Sequence, residues 1–214
     1  MKTMENSVQN NSAKMNKKVW NLPNILTYGR IVAVPLFVAC FYFSGDIPRA
    51  IALGLFIVAS VTDFFDGYLA RAWSQQSKLG QMLDPIADKL LVGAALIMLV
   101  YDKTIYDLSV IAAVIILSRE ILVSGLREFL GQLSVSVPVT KIAKFKTAAQ
   151  LGALGFLIMA PLVDPLLGDK SNLSLIVGDS LLWCAALLTI YTGFDYLRVG
   201  IKYLIEEDMK DEQS

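Results

Sequence analysis

Four aspartates, Asp63, Asp66, Asp84 and Asp88, stand in the stretch VTDFFDGYLARAWSQQSKLGQMLDPIADKLLV, residues 61–92. Apolar runs flank them, and a carboxylate at membrane depth is costly enough to mark a functional site. On a helix Asp63 and Asp66 are three residues apart and Asp63 and Gly67 four, so they share a face. Gly80, Asp84 and Asp88 form one stripe at four-residue steps. Four anions gathered in low dielectric repel one another and take up protons unless cations neutralise them. Hard divalent cations take oxygen ligands, so the pattern points to two bound ions, Mg²⁺ first and Mn²⁺ as the alternative. Two such ions about 4 Å apart would serve displacement at phosphorus. The competing structural reading has the aspartates scattered at the interface and paired with Arg71, Lys78 and Lys89.

The rest of the composition narrows the chemistry. The chain has no histidine, which excludes imidazole as base, proton shuttle or metal ligand and leaves proton transfer to Asp, Glu, Lys or Tyr. Cys40 and Cys184 lie in separate apolar runs without C-x-x-C spacing and read as small hydrophobes. Lysine plus arginine and aspartate plus glutamate are 19 each, so total charge says little about partners, and no nucleic-acid partner is expected.

The elements that must position the aspartates are helices in a membrane. Of 214 residues 55% are hydrophobic, and mean hydropathy is +0.56. Apolar runs predict six spans, near 24–43, 48–72, 80–101, 106–127, 145–163 and 174–204. The expected fold class is an all-α integral membrane protein of six transmembrane helices with a cytosol-facing polar cavity. One domain, 21–205, is expected between a polar segment, 1–20, and a charged tail, 206–214. The polar amino terminus predicts no cleaved signal peptide. The last run is too long for one straight crossing, so its end is expected to continue as an amphipathic or cytosolic helix.

Charge orients the bundle. Lys14, Lys17, Lys18, Lys78, Lys141, Lys144, Lys146, Lys202 and Lys210 fall on one side of this topology, against Arg49, Lys103 and Lys170 on the other. The positive-inside rule therefore puts both termini and the basic loops in the cytosol. The second span descends toward that side and the third climbs from it, which sets Asp63 about 13 Å and Asp88 about 12 Å from their helix ends. Antiparallel neighbours at matching depth can face their carboxylates toward each other.

The spacing D-x-x-D-G-x-x-A-R, eight residues, then G-x-x-x-D-x-x-x-D is filled by Asp63, Asp66, Gly67, Ala70, Arg71, Gly80, Asp84 and Asp88. It resembles the signature of the CDP-alcohol phosphotransferase family. That resemblance implies a six-helix membrane enzyme, usually a homodimer, with its active site open to the cytosol. It implies cleavage of a CDP-linked donor, transfer of the phosphate-bearing half to an alcohol, and release of CMP. Carried over by residue, Asp63, Asp66 and Asp84 are metal ligands and Asp88 is a ligand and the candidate base. Gly67 and Arg71 serve the CDP moiety, with Asp63, Lys78 and Gly80 beside them. NLPNILTYGRIVAVP, SREILVSGLREF and KFKTAAQ are similar to segments of the family branch that makes phosphatidylglycerophosphate from CDP-diacylglycerol and glycerol 3-phosphate.

Other polar residues carry two readings each. Gly67 and Gly80 serve either helix packing or close approach of a ligand to backbone. Asn24, Thr27 and Arg30 form a stripe at three-residue steps, either a helix cap with a snorkelling arginine or, as the resemblance favours, contacts to the CDP group. Arg119 and Glu120 lie inside the fourth span, either as a structural ion pair or with Arg119 recognising phosphate. Lys144, and less strongly Arg127, Lys141 and Lys146, join Arg119 as candidates for the acceptor's phosphate, although topology alone accounts for part of this basicity. A phosphorylated acceptor makes use of such cations; inositol phosphate would do so as well as glycerol 3-phosphate. Serine or phosphatidylglycerol as acceptor, and a cation pathway across the bilayer, are the alternatives.

Overall fold

A computed structural model describes residues 22–72, 78–132, 141–167 and 172–211. Among the described residues six helices follow in order: α1 Leu22–Cys40, α2 Asp46–Ala72, α3 Lys78–Tyr101, α4 Ser109–Gln132, α5 Lys141–Val163 and α6 Leu173–Asp211. A 3₁₀ turn, Asp164–Leu167, follows α5, and the described residues contain no strand. Each helix coincides with a predicted apolar run. α4 reaches beyond the predicted end at 127 because Phe129 and Leu130 extend its apolar pattern. α6 has 39 residues, about 58 Å at the usual rise, so the long last run is one continuous helix.

Local chemistry sets several boundaries. Gly45 at φ 118° makes the turn into α2, whose first turn carries Asp46 at the positive end of the helix dipole. Lys103 at φ 62° reverses the chain after α3, and the Ile105 amide then donates back to Leu99 O at 2.8 Å. Asp164 accepts from the Ser174 and Leu175 amides at 2.8 and 3.2 Å, supplying acceptors to donors that the start of α6 leaves without helical partners. Pro85 lies about two turns inside α3.

α5 and α6 form the most extensive helix pair, and α1 packs on both α2 and α3, which touch each other less. Gly178 permits the α5–α6 approach: a Cβ there would lie 2.8 Å from Leu157 Cγ and 3.1 Å from Leu157 N. The core runs through Phe37, Phe56, Leu96, Leu99, Ile116, Leu154, Ile158 and Leu182, all buried. Outward faces carry many large apolar side chains, with Val32, Ile57, Ile97, Val114, Leu187 and Phe194 each exposed. Apolar surface of that extent suits lipid as the surrounding solvent. Among the described residues, Ser109–Gly131, Ile142–Leu167 and Leu173–Arg198 are long and apolar enough to cross a membrane, and Asn24–Cys40 is a shorter apolar helix.

The end of the bundle remote from the aspartates is closed by Arg49. It pairs with Asp102, donates to Ile158 O at 2.9 Å, to Thr104 Oγ1 at 3.1 Å and to Leu157 O at 3.2 Å, and stacks over Phe41. Pro161 has no amide to offer the Leu157 carbonyl four residues earlier, and the guanidinium of α2 occupies that acceptor instead.

Candidate active site

α1 supplies partners to the aspartate helices. Arg30, whose side chain is fully buried, donates through Nη1 to Asp63 Oδ1, and Thr27 Oγ1 donates to Asp84 Oδ1. Thr27 and Arg30 are three residues apart, so one face of α1 serves α2 through one residue and α3 through the other. Asn24, on the same stripe, is buried, as is Gly80. The backbone of Asp66, Gly67 and Arg71 belongs to α2, and that of Lys78 and Lys141 opens α3 and α5. The side chains of these five expected site residues lie outside the described residues.

Asp63 and Asp88 keep 38% and 35% of their side chains accessible, which leaves their carboxylates within reach of a ligand. The donor set is oxygen alone and includes no imidazole, since the chain contains no histidine. That chemistry fits a hard divalent cation. Among the described residues, to which the Asp66 side chain does not belong, no three acidic, histidine or cysteine side chains form a closed cation-binding group.

Asp88 opens onto a second cluster. Its Oδ2 is 3.4 Å from Lys89 Nζ, and the same ammonium stands 2.8 Å from Glu120 Oε2. Glu120, buried in α4, also accepts from Lys146 of α5 and lies 3.5 Å from Arg119 Nη1. Three cations from three helices thus converge on one carboxylate, which compensates charges that would be expensive in the bundle interior.

On the far side, Arg119 Nη2 donates to Thr192 Oγ1 of α6 at 3.2 Å, while Arg127 Nη2 donates to the Tyr196 hydroxyl at 3.1 Å. The Tyr196 ring lies 5.7 Å from the Arg119 guanidinium carbon and 5.6 Å from that of Arg127, so one aromatic ring holds both cations. Gly193 lets Arg119 lie close against α6, since a Cβ there would stand 3.1 Å from Arg119 Cγ.

Lys89, Glu120 and Tyr196 border a cavity of about 650 Å³ walled by α3, α4, α5 and α6. Asp88, Arg119, Arg127, Lys144 and Lys146, all singled out from sequence, line it. Arg127 and Lys144 are its exposed cations, whereas Lys146 is buried against Glu120. Asp63, Asp84 and the α1 stripe are not part of this lining. An anion-attracting chamber therefore opens on Asp88, while Asp63 and Asp84 are held by Arg30 and Thr27 of α1.

Sequence comparison gives the same direction. Residues 20–191 match the model of the CDP-alcohol phosphatidyltransferase family, most of the chain. The chain belongs to the CDP-alcohol phosphatidyltransferase family. Among its relatives, a protein of Rickettsia bellii named CDP-diacylglycerol–glycerol-3-phosphate 3-phosphatidyltransferase is 48% identical over 86% of this chain and 97% of its own length. A protein of Cereibacter sphaeroides with the same name is 40% identical over 88% of this chain and 99% of its own. A third, of Haemophilus influenzae and again of that name, is 38% identical over 87% and 97%.

Membership of this family agrees with the expectation drawn from the aspartate signature. Lys89, Gln150, Thr192 and Tyr196 were not identified as site residues from sequence. Thr192 and Tyr196 are four residues apart on α6, and Gln150 follows Lys146 at the same spacing on α5. Helical periodicity aligns each pair, but nothing local shows that these faces meet α4.

Proposed function

We propose that the protein transfers the phosphatidyl group of CDP-diacylglycerol to sn-glycerol 3-phosphate, giving phosphatidylglycerophosphate and CMP. The observation that carries this reading is the cavity in which Asp88 meets Arg119, Arg127 and Lys144. The names of the relatives support the same donor and acceptor.

The acceptor's dianionic phosphate would be held by Arg119 and Lys144, with Arg127, Lys141 and Lys146 adding to the positive field. Its free primary hydroxyl would lie toward Asp88, which takes the proton as the oxygen bonds to the β-phosphorus and the bond to CMP breaks. Lys89, between Asp88 and Glu120, restrains the Asp88 carboxylate. Asn24, Thr27, Arg30, Gly67, Arg71, Lys78 and Gly80 would bind the CDP end of the donor, whose acyl chains stay in lipid. Asp63, Asp66, Asp84 and Asp88 would hold two divalent cations, Mg²⁺ or Mn²⁺, which would neutralise the pyrophosphate and the charge developing on the departing CMP.

On this reading a single catalytic domain, 21–205, would lie in the cytoplasmic membrane with both termini and the site on the cytosolic side; the lysine distribution supports that orientation. A homodimer follows from the family resemblance. The test is CMP release from CDP-diacylglycerol by solubilised protein with Mg²⁺ or Mn²⁺, comparing glycerol 3-phosphate, glycerol, serine, inositol and inositol phosphate. Turnover with glycerol 3-phosphate alone is expected; preference for another acceptor overturns the assignment.

A further inference from the structure

One lining residue has a polar atom that the cluster of ion pairs does not use. Gln150 of α5 is 3% exposed, borders the cavity, and its carboxamide Oε1 is buried without a hydrogen-bond partner. A buried carbonyl oxygen left without a donor is costly, and such atoms are rare unless a ligand or water completes them. Around it the cavity is rich in cations, but Lys146, one turn away on the same helix face, is engaged by Glu120. The exposed cations Arg127 and Lys144 suit a phosphate. An amide oxygen repels phosphate oxygens and accepts from an O–H, so it suits the other end of the ligand.

We infer that Gln150 is a specificity-determining residue that accepts a hydrogen bond from the secondary hydroxyl of the phosphorylated acceptor. This rests on the proposed acceptor class and deepens it. The primary hydroxyl reacts and the phosphate is held by cations, so the secondary hydroxyl is the remaining donor of glycerol 3-phosphate. A neutral acceptor at this point orients the polyol chain without competing for the proton that Asp88 removes. It also distinguishes the acceptor from a plain hydroxyalkyl phosphate, because the analogue leaves Oε1 desolvated and unpaired.

The experiment compares sn-glycerol 3-phosphate with 3-hydroxypropyl phosphate, which keeps the phosphate and the primary hydroxyl and lacks only the secondary one. The unaltered full-length protein is expected to favour glycerol 3-phosphate by about tenfold or more in kcat/KM, the scale of one well-placed hydrogen bond. Gln150→Met, near in shape but without the amide, is expected to lose about that factor on glycerol 3-phosphate and to use both acceptors equally. The KM for CDP-diacylglycerol should not move. If the unaltered protein treats the two acceptors alike, the inference is overturned without recourse to any variant. If Gln150→Met lowers both rates in the same proportion and keeps the preference, the residue is structural and the inference again fails. Turnover of neither compound, with another acceptor active, instead defeats the acceptor assignment itself.

Discussion

Lys89 of α3 stands between two carboxylates, 3.4 Å from Asp88 Oδ2 and 2.8 Å from Glu120 Oε2. Through this lysine the aspartate motif is joined to the cation cluster of α4 and α5. The two halves of the site are thus coupled by charge, with Glu120 reached across 31 positions of the chain from Lys89.

Glu120 is the shared anion of that coupling. Glu120→Gln is expected to destabilise the folded protein by about 3 kcal/mol, the scale for removing one partner of a buried ion pair. Combining it with Lys146→Met should cost less than the two single changes added together. Thermal melting of the four proteins in one detergent checks this double-mutant cycle.

Neutralising the cations proposed to hold the acceptor's phosphate should act on one substrate. Arg119→Met and Lys144→Met are each expected to raise the KM for glycerol 3-phosphate by about tenfold or more, the scale of a charge-assisted hydrogen bond, while the KM for CDP-diacylglycerol holds. Steady-state kinetics with each substrate varied separately reads the split. Tyr196→Phe, which removes only the hydroxyl that accepts from Arg127, should raise the same acceptor KM a few-fold.

Chelation tests the aspartates. EDTA should abolish CMP release and added Mg²⁺ or Mn²⁺ should restore it. Asp84→Asn and Asp88→Asn are expected to lose about a hundredfold or more in kcat at every cation concentration, the magnitude seen when a group stabilising transition-state charge is removed. Recovery of Asp84→Asn at high cation concentration would make that residue a matter of affinity alone.

Arg49 provides the contrast at the remote end. Arg49→Met leaves Asp102 and the Leu157 and Ile158 carbonyls short of a donor, so a loss of about 2 kcal/mol in stability is expected. The KM values for both substrates should be unchanged at a temperature where the variant is folded. Melting curves and kinetics on the same preparation separate the two effects.

Much of this was legible in the residues themselves. Helix positions followed from apolar runs, because a helix that must satisfy its own backbone hydrogen bonds in lipid needs about 20 consecutive apolar residues. The aspartate spacing pointed to cation chemistry because i, i+3 and i+4 positions share a helix face whatever the surroundings. Arg119 and Asp88 stood out because charge in an apolar run is costly, and Lys144 because it belongs to a cluster of cations on the predicted cytosolic side. Which charges meet was decided only by the tertiary structure. Arg30 reaches Asp63 from a helix 33 positions earlier, Lys146 reaches Glu120 across 26, and Arg127 reaches Tyr196 across 69. Periodicity orders residues around one helix, but it holds no information on the rotation and separation of its neighbours. Those are set by packing, as where Gly178 admits Leu157 and Gly193 admits Arg119.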